Sequence, residues 1–464
     1  MGKTSVAWVY WIVISLSVGG YFGYRMLSED QTIFLPGKTS HGHYQIELAC
    51  GACHKDSFGG GEVLQQACME CHGNELKNVN DSHPRSKFLN PRNADRIKNL
   101  DARVCITCHV EHKPEITTKM GVTVPDDVCF NCHQDIAEDR ASHVDMKFNT
   151  CASAGCHNFH DNQGLYEDFL LKHSDEADVF DVANVPQRNL RESIDLNSNY
   201  PLDQFPLSPL TLSEIDVPSG IKSDPKILQD WSTAVHATSG VNCSACHLEK
   251  VKTGLDAEWT NKPDYKVCLS CHERESEGFL NGKHGMRLKQ NLSPMTPGQA
   301  NLPMQPGSNE KELNCISCHS AHKFDTAHAS VDACLSCHND EHSNAYKGSI
   351  HFTLWFNEKM SGSKNTTGVS CATCHMPRSV HKSAEGRWIF VQHNQNDNLR
   401  PNEKMLRSVC MNCHGLGFAI DALADSNLVK NNFKGRPQQH IKSIDMAKNR
   451  VKSKGRSKTK GDYL

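Results

Sequence analysis

Every cysteine in this chain belongs to a pair that closes on a histidine. Ten pairs read C-x-x-C-H: Cys50/Cys53/His54, Cys68/Cys71/His72, Cys105/Cys108/His109, Cys129/Cys132/His133, Cys243/Cys246/His247, Cys268/Cys271/His272, Cys315/Cys318/His319, Cys334/Cys337/His338, Cys371/Cys374/His375 and Cys410/Cys413/His414. The remaining two of the 22 cysteines, Cys151 and Cys156, have four residues between them in "CASAGCHNFH" and run directly into His157. The fold must be organised around whatever these triplets hold.

C-x-x-C-H is the attachment signature for c-type haem. The two thiols reach the two vinyl groups on one edge of the porphyrin, and the adjacent histidine turns under the plane to bind iron as the proximal ligand. Structural zinc needs two cysteine pairs per metal but no histidine after every second cysteine. A thioredoxin-like redox pair occurs once or twice in a chain, whereas this pattern recurs throughout. For Cys151, Cys156 and His157 the other readings are a disulfide or an idle pair, and a free pair would be exposed to oxidation where haem is attached. A longer loop can bulge outward while its ends still meet the vinyl groups. In this respect the sequence resembles the class III tetrahaem cytochromes, in which C-x-x-C-H and C-x4-C-H occur side by side. That resemblance implies an eleventh covalently attached haem c.

Across 464 residues hydrophobic content is 38%, aromatics are 7% and mean hydropathy is −0.55, so the apolar supply is thin for a soluble core. Haem must provide the missing interior, because polypeptide burial alone would hardly offset ordering entropy. The expected fold is mostly α with extensive loops and little sheet. Its helices are short, with candidates at 164–173, 224–236 and 418–431.

Between Lys3 and Arg25 lie 21 residues without charge, long enough to span a bilayer, with Trp and Tyr near the ends. A cleavable signal peptide would have a shorter apolar region and an A-x-A-like site, which this segment lacks. An uncleaved single-pass anchor is expected, although Lys3 and Arg25 orient it only weakly. The resemblance to c-type cytochromes implies a bacterial inner membrane, with the body in the periplasm where haem is attached.

The order along the chain is an anchor at 1–30, a pentahaem domain at 31–175, an acidic and proline-rich connection at 176–230, a hexahaem domain at 231–425 and a basic tail at 426–464. Pro186, Pro201, Pro206, Pro209, Pro218 and Pro225 make regular structure in the connection unlikely and predict a segment draped over the surface. Ten triplets fall into five doubled units beginning at 50 and 68, 105 and 129, 243 and 268, 315 and 334, 371 and 410, as expected of a duplicated two-haem module. From Lys430 to Leu464 positive charges exceed negative by nine, which leaves −12 on the rest of a chain whose formal charge is −3. The bland reading of that tail is a solvated, disordered end. The sharper one is attraction to anionic lipid or to an acidic partner cytochrome.

Eleven of the 27 histidines are proximal, leaving sixteen, so no shortage forces an open iron. His112, His160, His322 and His342 follow a proximal histidine by three or four residues. None can reach the far face of its own haem, so as ligands they would staple a neighbouring one. Further distal candidates are His43, His83, His143, His173, His236, His284, His328, His351, His381 and His393. His41 competes with His43, and His440 reads as idle. Two histidine ligands give a low potential and methionine a higher one. Met286, Met295 and Met304 border a proline-rich loop, where packing is the expected role.

The run "ACLSCHNDEHSNAYKGSIHFTLW", with "GVSCATCHMPRSVH", "RWIFVQH" and "KMLRSVCMNCH", resembles the C-terminal part of octahaem cytochromes related to hydroxylamine oxidoreductase, over roughly 231–425. The resemblance implies that the haem on Cys268, Cys271 and His272 takes the place of that family's substrate-binding haem, making His272 the open-haem candidate. Two departures weaken an enzymatic reading: only Tyr463 follows the last triplet where that enzyme has a haem-linked tyrosine, and the C-x-x-C-K of related nitrite reductases is absent. The expected function is a membrane-anchored undecahaem electron carrier serving other redox proteins, whether quinol-linked or periplasmic cytochromes, with no role for nucleic acid. The alternative is a haem oxidoreductase acting on a small nitrogen or sulfur compound.

Overall fold

The computed structural model describes residues 3–28, 30–56, 60–95, 97–98, 100–118, 120–140, 143–144, 158–161, 165–188, 202–250, 257–323, 325–362, 368–383, 386–399 and 404–461. The triplet Cys151, Cys156 and His157 lies outside them. The described chain is mostly helix and loop, as expected, with two small antiparallel hairpins, Leu248–Lys250 with Ala257–Trp259 and Arg378–Ser383 with Gly386–Val391. It divides into two compact units, residues 1–74 with 83–132 and residues 75–82 with 133–464. The division falls inside the fourth triplet, between Cys132 and His133, and not in the proline-rich connection.

In the first unit the N-terminal helix Lys3–Leu27 contains a stretch, Val6–Leu27, long and apolar enough to cross a membrane, and none of it is buried. Its end is tied down. Arg25 pairs with Asp30 at 2.8 Å, the Gln31 side-chain amide donates to the Met26 carbonyl at 2.8 Å, and the Phe22 and Phe34 rings lie 6.1 Å apart. The helix Gly61–Asn78 carries Cys68, Cys71 and His72. From its buried face Gln65 accepts the backbone N–H of Cys105 at 2.8 Å, joining the second triplet to the third.

In the second unit the largest apolar cluster gathers Leu165 and Leu170 from the helix Glu167–Lys172 and its approach, Leu406, and Leu416, Ala419 and Ile420 from the helix Leu416–Ala424. Ile444 and Ala447 complete it, and these belong to the tail. The reading of the tail as a solvated end is therefore corrected over its first half: the helix Ser443–Gly461 begins there, with Lys448 paired to Asp175 at 2.8 Å and Arg450 to Glu167. An apolar row at Ile441, Ile444 and Ala447, spaced by three, lies within the basic composition and finds the core.

The connection is also more integrated than a draped segment. Phe180 N–H donates to the Cys413 carbonyl at 2.8 Å, Asn184 N–H to the Asn412 carbonyl at 2.7 Å, and Gly415 N–H to the Ala177 carbonyl at 3.0 Å. Further on, Leu210 N–H donates to the Ala237 carbonyl at 2.9 Å, and Asp216 accepts the backbone N–H of Ser244 at 3.0 Å. Prolines deny this segment a regular ladder, and the backbone at Ala177, Phe180 and Asn184 pairs instead with the last triplet and the residue after it.

Candidate haem centres

Seven of the described triplets close in a tight turn, and Cys68, Cys71 and His72 lie within a longer helix. The histidine N–H donates back to the carbonyl of the first cysteine, at 2.8 Å for His54, 2.9 Å for His109, His272, His338 and His414, and 3.0 Å for His247 and His319. This i to i−4 closure brings both thiols to one side and the imidazole beneath them. None of the twenty described cysteines forms a disulfide. Among the described residues, no three His, Cys, Asp or Glu side chains converge as a metal cluster, so the zinc reading finds no site.

What stands opposite the triplet histidines is the most informative geometry in the molecule. Among the described residues, seven triplet histidines face a second histidine. The ring centroids lie 5.9 Å apart for His72 and His43, 5.9 Å for His247 and His322, and 6.2 Å each for His272 with His236, His338 with His284 and His319 with His393. The last two pairs are His375 with His342 at 6.1 Å and His414 with His351 at 6.3 Å. Rings in direct contact elsewhere span 4.5 Å, between His381 and Trp388, to 6.3 Å, between His342 and Phe433. Two metal–nitrogen bonds of about 2.0 Å, with each centroid set roughly 1 Å behind its nitrogen, add to about 6 Å. The residues present thus fit a haem iron held from both faces.

Hydrogen bonds fix several rings from behind. An imidazole that donates through Nδ1 keeps its lone pair on Nε2 for a metal. His236 donates to the Ala321 carbonyl at 3.2 Å, His393 to Val391 at 2.8 Å, His342 to Val429 at 2.5 Å, His247 to Thr260 at 2.6 Å and His414 to Asp178 at 2.9 Å. At His342 the Asn432 amide also reaches Nε2, at 3.2 Å. Burial pushes His284, His319, His351 and His375 down to about 4, helped by neighbouring histidines. The rings therefore stay neutral, the ligating form, above that pH.

Short elements aim these rings. The first hairpin returns Thr260 to His247 and stacks Trp259 on it at 4.9 Å. The second ends at Val391 and delivers His393, whose loop lies so close to the helix Glu273–Asn281 that a Cβ on Gly278 would come within 3.1 Å of the His393 nitrogen. Ser349 caps the helix Ile350–Ser361, accepting from Phe352 N–H at 3.2 Å, and this places His351 in the first turn.

His322 and His342, which follow their own triplets closely, each face the histidine of a different triplet. Of the other distal candidates, His112 donates to the Gly37 carbonyl at 2.8 Å, His160 meets Asp81 at 3.2 Å and His173 meets Glu176 at 2.5 Å. His83 stacks on Phe88 at 6.2 Å, and His143 lies in a short described stretch at 143–144. His328 is exposed with Asp332 3.9 Å away, and His381 is exposed against Trp388; the structure brings neither to a triplet histidine as it does the seven. His440 has both nitrogens on carboxylates, Asp421 at 2.9 Å and Asp445 at 2.7 Å. Met295 is buried, and Met304 pairs its backbone with His338.

From the triplet at 243 to the triplet at 410, consecutive triplets are neighbours in space. Burial raises the Cys246 thiol to about 11, with Cys268 and Cys271 adding to it, and raises Cys318 to about 12 with help from Cys334 and Cys337. Cys374 reaches about 12 in the same way beside Cys410 and Cys413. Between doubled units the first cysteines meet: Cys268 with Cys315, and Cys334 with Cys371. The first unit repeats both modes, Cys53 near Cys71 and Cys68 against Cys105. The doubled units at 50 and 68, 243 and 268, 315 and 334, and 371 and 410 thus have their thiols near each other, and thiols of adjoining units meet.

Sequence reading did not single out Glu111. It accepts from His43 Nδ1 at 2.7 Å, from Ser40 N–H at 2.6 Å and from the Ser40 hydroxyl at 2.8 Å. Burial alone would push this carboxyl up, yet these donors hold it down at about 2. Its position inside "CITCHVEH", between two histidines, was the available signal.

A family model described as Cytochrome c3 matches residues 42–134 and 235–339. Each matched region contains four C-x-x-C-H triplets, so the same block occurs twice. With the triplets and their facing histidines, the two matches support a multihaem c-type cytochrome whose haems are covalently bound and serve electron transfer.

Proposed function

We propose that this chain is a membrane-anchored undecahaem electron carrier of the periplasmic face of a bacterial inner membrane, exchanging electrons with other redox proteins. One observation carries the reading: all six triplet histidines from His247 to His414 face a second histidine at 5.9–6.3 Å, in an unbroken series of neighbouring triplets. The haems supply one-electron couples; the chain's own residues fix spacing, ligation and local charge. His272, the open-haem candidate, has His236 opposite it, which removes the room a small nitrogen or sulfur substrate would need and disfavours the oxidoreductase alternative.

Support for the anchor and for electron exchange at the membrane comes from the first triplet. Cys50 Sγ lies 3.7 Å from Gln31 Oε1, and Gln31 in turn holds Met26 near the end of the apolar helix. A centre there would stand at the bilayer surface. The test is spectroscopic. The oxidised protein should show only low-spin ferric signals by EPR and optical absorption, unchanged by cyanide or nitrite. A high-spin signal that binds either ligand would overturn the carrier reading in favour of an enzyme.

A further inference from the structure

One of the seven histidine pairs rests on a different kind of partner. In the second unit, among the described residues, His236, His247, His342, His393 and His414 donate to main-chain carbonyls. Asp340 approaches His338 only to 3.8 Å, beyond hydrogen-bond reach. His43, opposite His72, instead donates to a carboxylate, Glu111, at 2.7 Å.

We propose that Glu111 is a potential-setting residue for the centre held by His72 and His43. A hydrogen bond to an ionised acceptor is roughly twice as strong as one to a neutral acceptor. By drawing on the Nδ1 proton, the carboxylate makes the His43 ring a more basic ligand. A more basic ligand favours ferric over ferrous iron, so this centre has a lower midpoint than centres whose ligands rest on carbonyls. Glu111 itself stands two residues past His109, so the segment that carries the third triplet tunes the centre on the second. Ser40, 5% exposed, fixes the carboxylate through its N–H and its hydroxyl. The centre one triplet in from the membrane end thereby becomes an uphill step that is reduced after its neighbours.

This inference rests on the haem reading above, and the experiment separates the two. The full-length haem-loaded protein and its Glu111→Gln variant are titrated potentiometrically, followed by optical absorption and low-spin ferric EPR, with intact mass measured in parallel. Glutamine keeps an acceptor and removes the charge. The midpoint of one centre should rise by about 59 mV, a roughly tenfold fall in its ferric-to-ferrous ratio at a given potential, while the rest stay in place. Glu111→Asp should recover most of the shift. Ser40→Ala should move the same centre the opposite way, because losing that donor concentrates charge on the oxygen facing His43. A fully loaded Glu111→Gln protein that titrates like the parent overturns the proposal, as does a Ser40→Ala shift in the same direction as Glu111→Gln. If Glu111→Gln fails to retain its haems, Ser40→Ala decides: a downward shift supports the proposal and no shift overturns it. Missing porphyrin mass in the parent protein would instead contradict the haem reading.

Discussion

Produced without haem attachment, the full-length chain should fail to fold. Its far-UV circular dichroism should lack the helical minima of the mature protein, and heating should give no cooperative transition. The reason lies in what fills the interior. The described apolar clusters are small: one joins Leu165, Leu170, Leu406, Leu416, Ala419, Ile420, Ile444 and Ala447, and another joins Val331, Tyr346 and Trp355. Much of the rest is lined by facing histidine rings about 6 Å apart and by cysteine thiols, which bury little apolar surface. Ordering a residue costs on the order of 1–2 kcal/mol in backbone entropy, and neither cluster is large enough to offset that for a chain of 464 residues. Binding of the group is then folding free energy, as in small metal-dependent domains. Native-like circular dichroism with a cooperative melt from a haem-free preparation would refute this.

His284→Met should have the largest effect on electron transfer of any single conservative change. His284 faces His338, and its triplet lies in the middle of the neighbouring series, with Cys334 meeting Cys371 on one side and Cys318 on the other. A thioether in place of imidazole raises a haem potential. A rise of about 0.2 V is a modest part of the roughly 0.8 V that axial ligands span. At about 59 mV per decade it slows escape from that centre by on the order of a thousandfold. Stopped-flow oxidation of the pre-reduced variant should therefore leave one centre lagging by that factor. His381→Ala, at an exposed ring stacked on Trp388, should behave like the parent. Equal kinetics in His284→Met and the parent would show that His284 does not hold an iron.

Much of the candidate site is legible in the sequence, because covalent attachment demands two cysteines and a histidine in one short turn. The helical segments around 164–173, 224–236 and 418–431 also appear, as Glu167–Lys172, Pro225–Ser232, Leu416–Ala424 and Ser426–Lys430. The pairing of rings was not readable. His338 meets His284, and His319 meets His393, across long stretches of chain, and their alignment depends on hairpins and caps that local pattern does not specify. His322 and His342 were expected to serve neighbours, on the steric ground that a link of three or four residues cannot pass around a macrocycle. In the tail, net charge hid an apolar row spaced by three. In the connection, proline excluded a regular ladder but not close packing, and the backbone at Phe180 and Asn184 found its partners on the last triplet.

The most direct test of the central claim is the intact mass of the mature protein. Eleven covalently added porphyrins are expected, one for each triplet including Cys151, Cys156 and His157. A mass with no added porphyrin, or with substantially fewer than eleven equivalents, would contradict it.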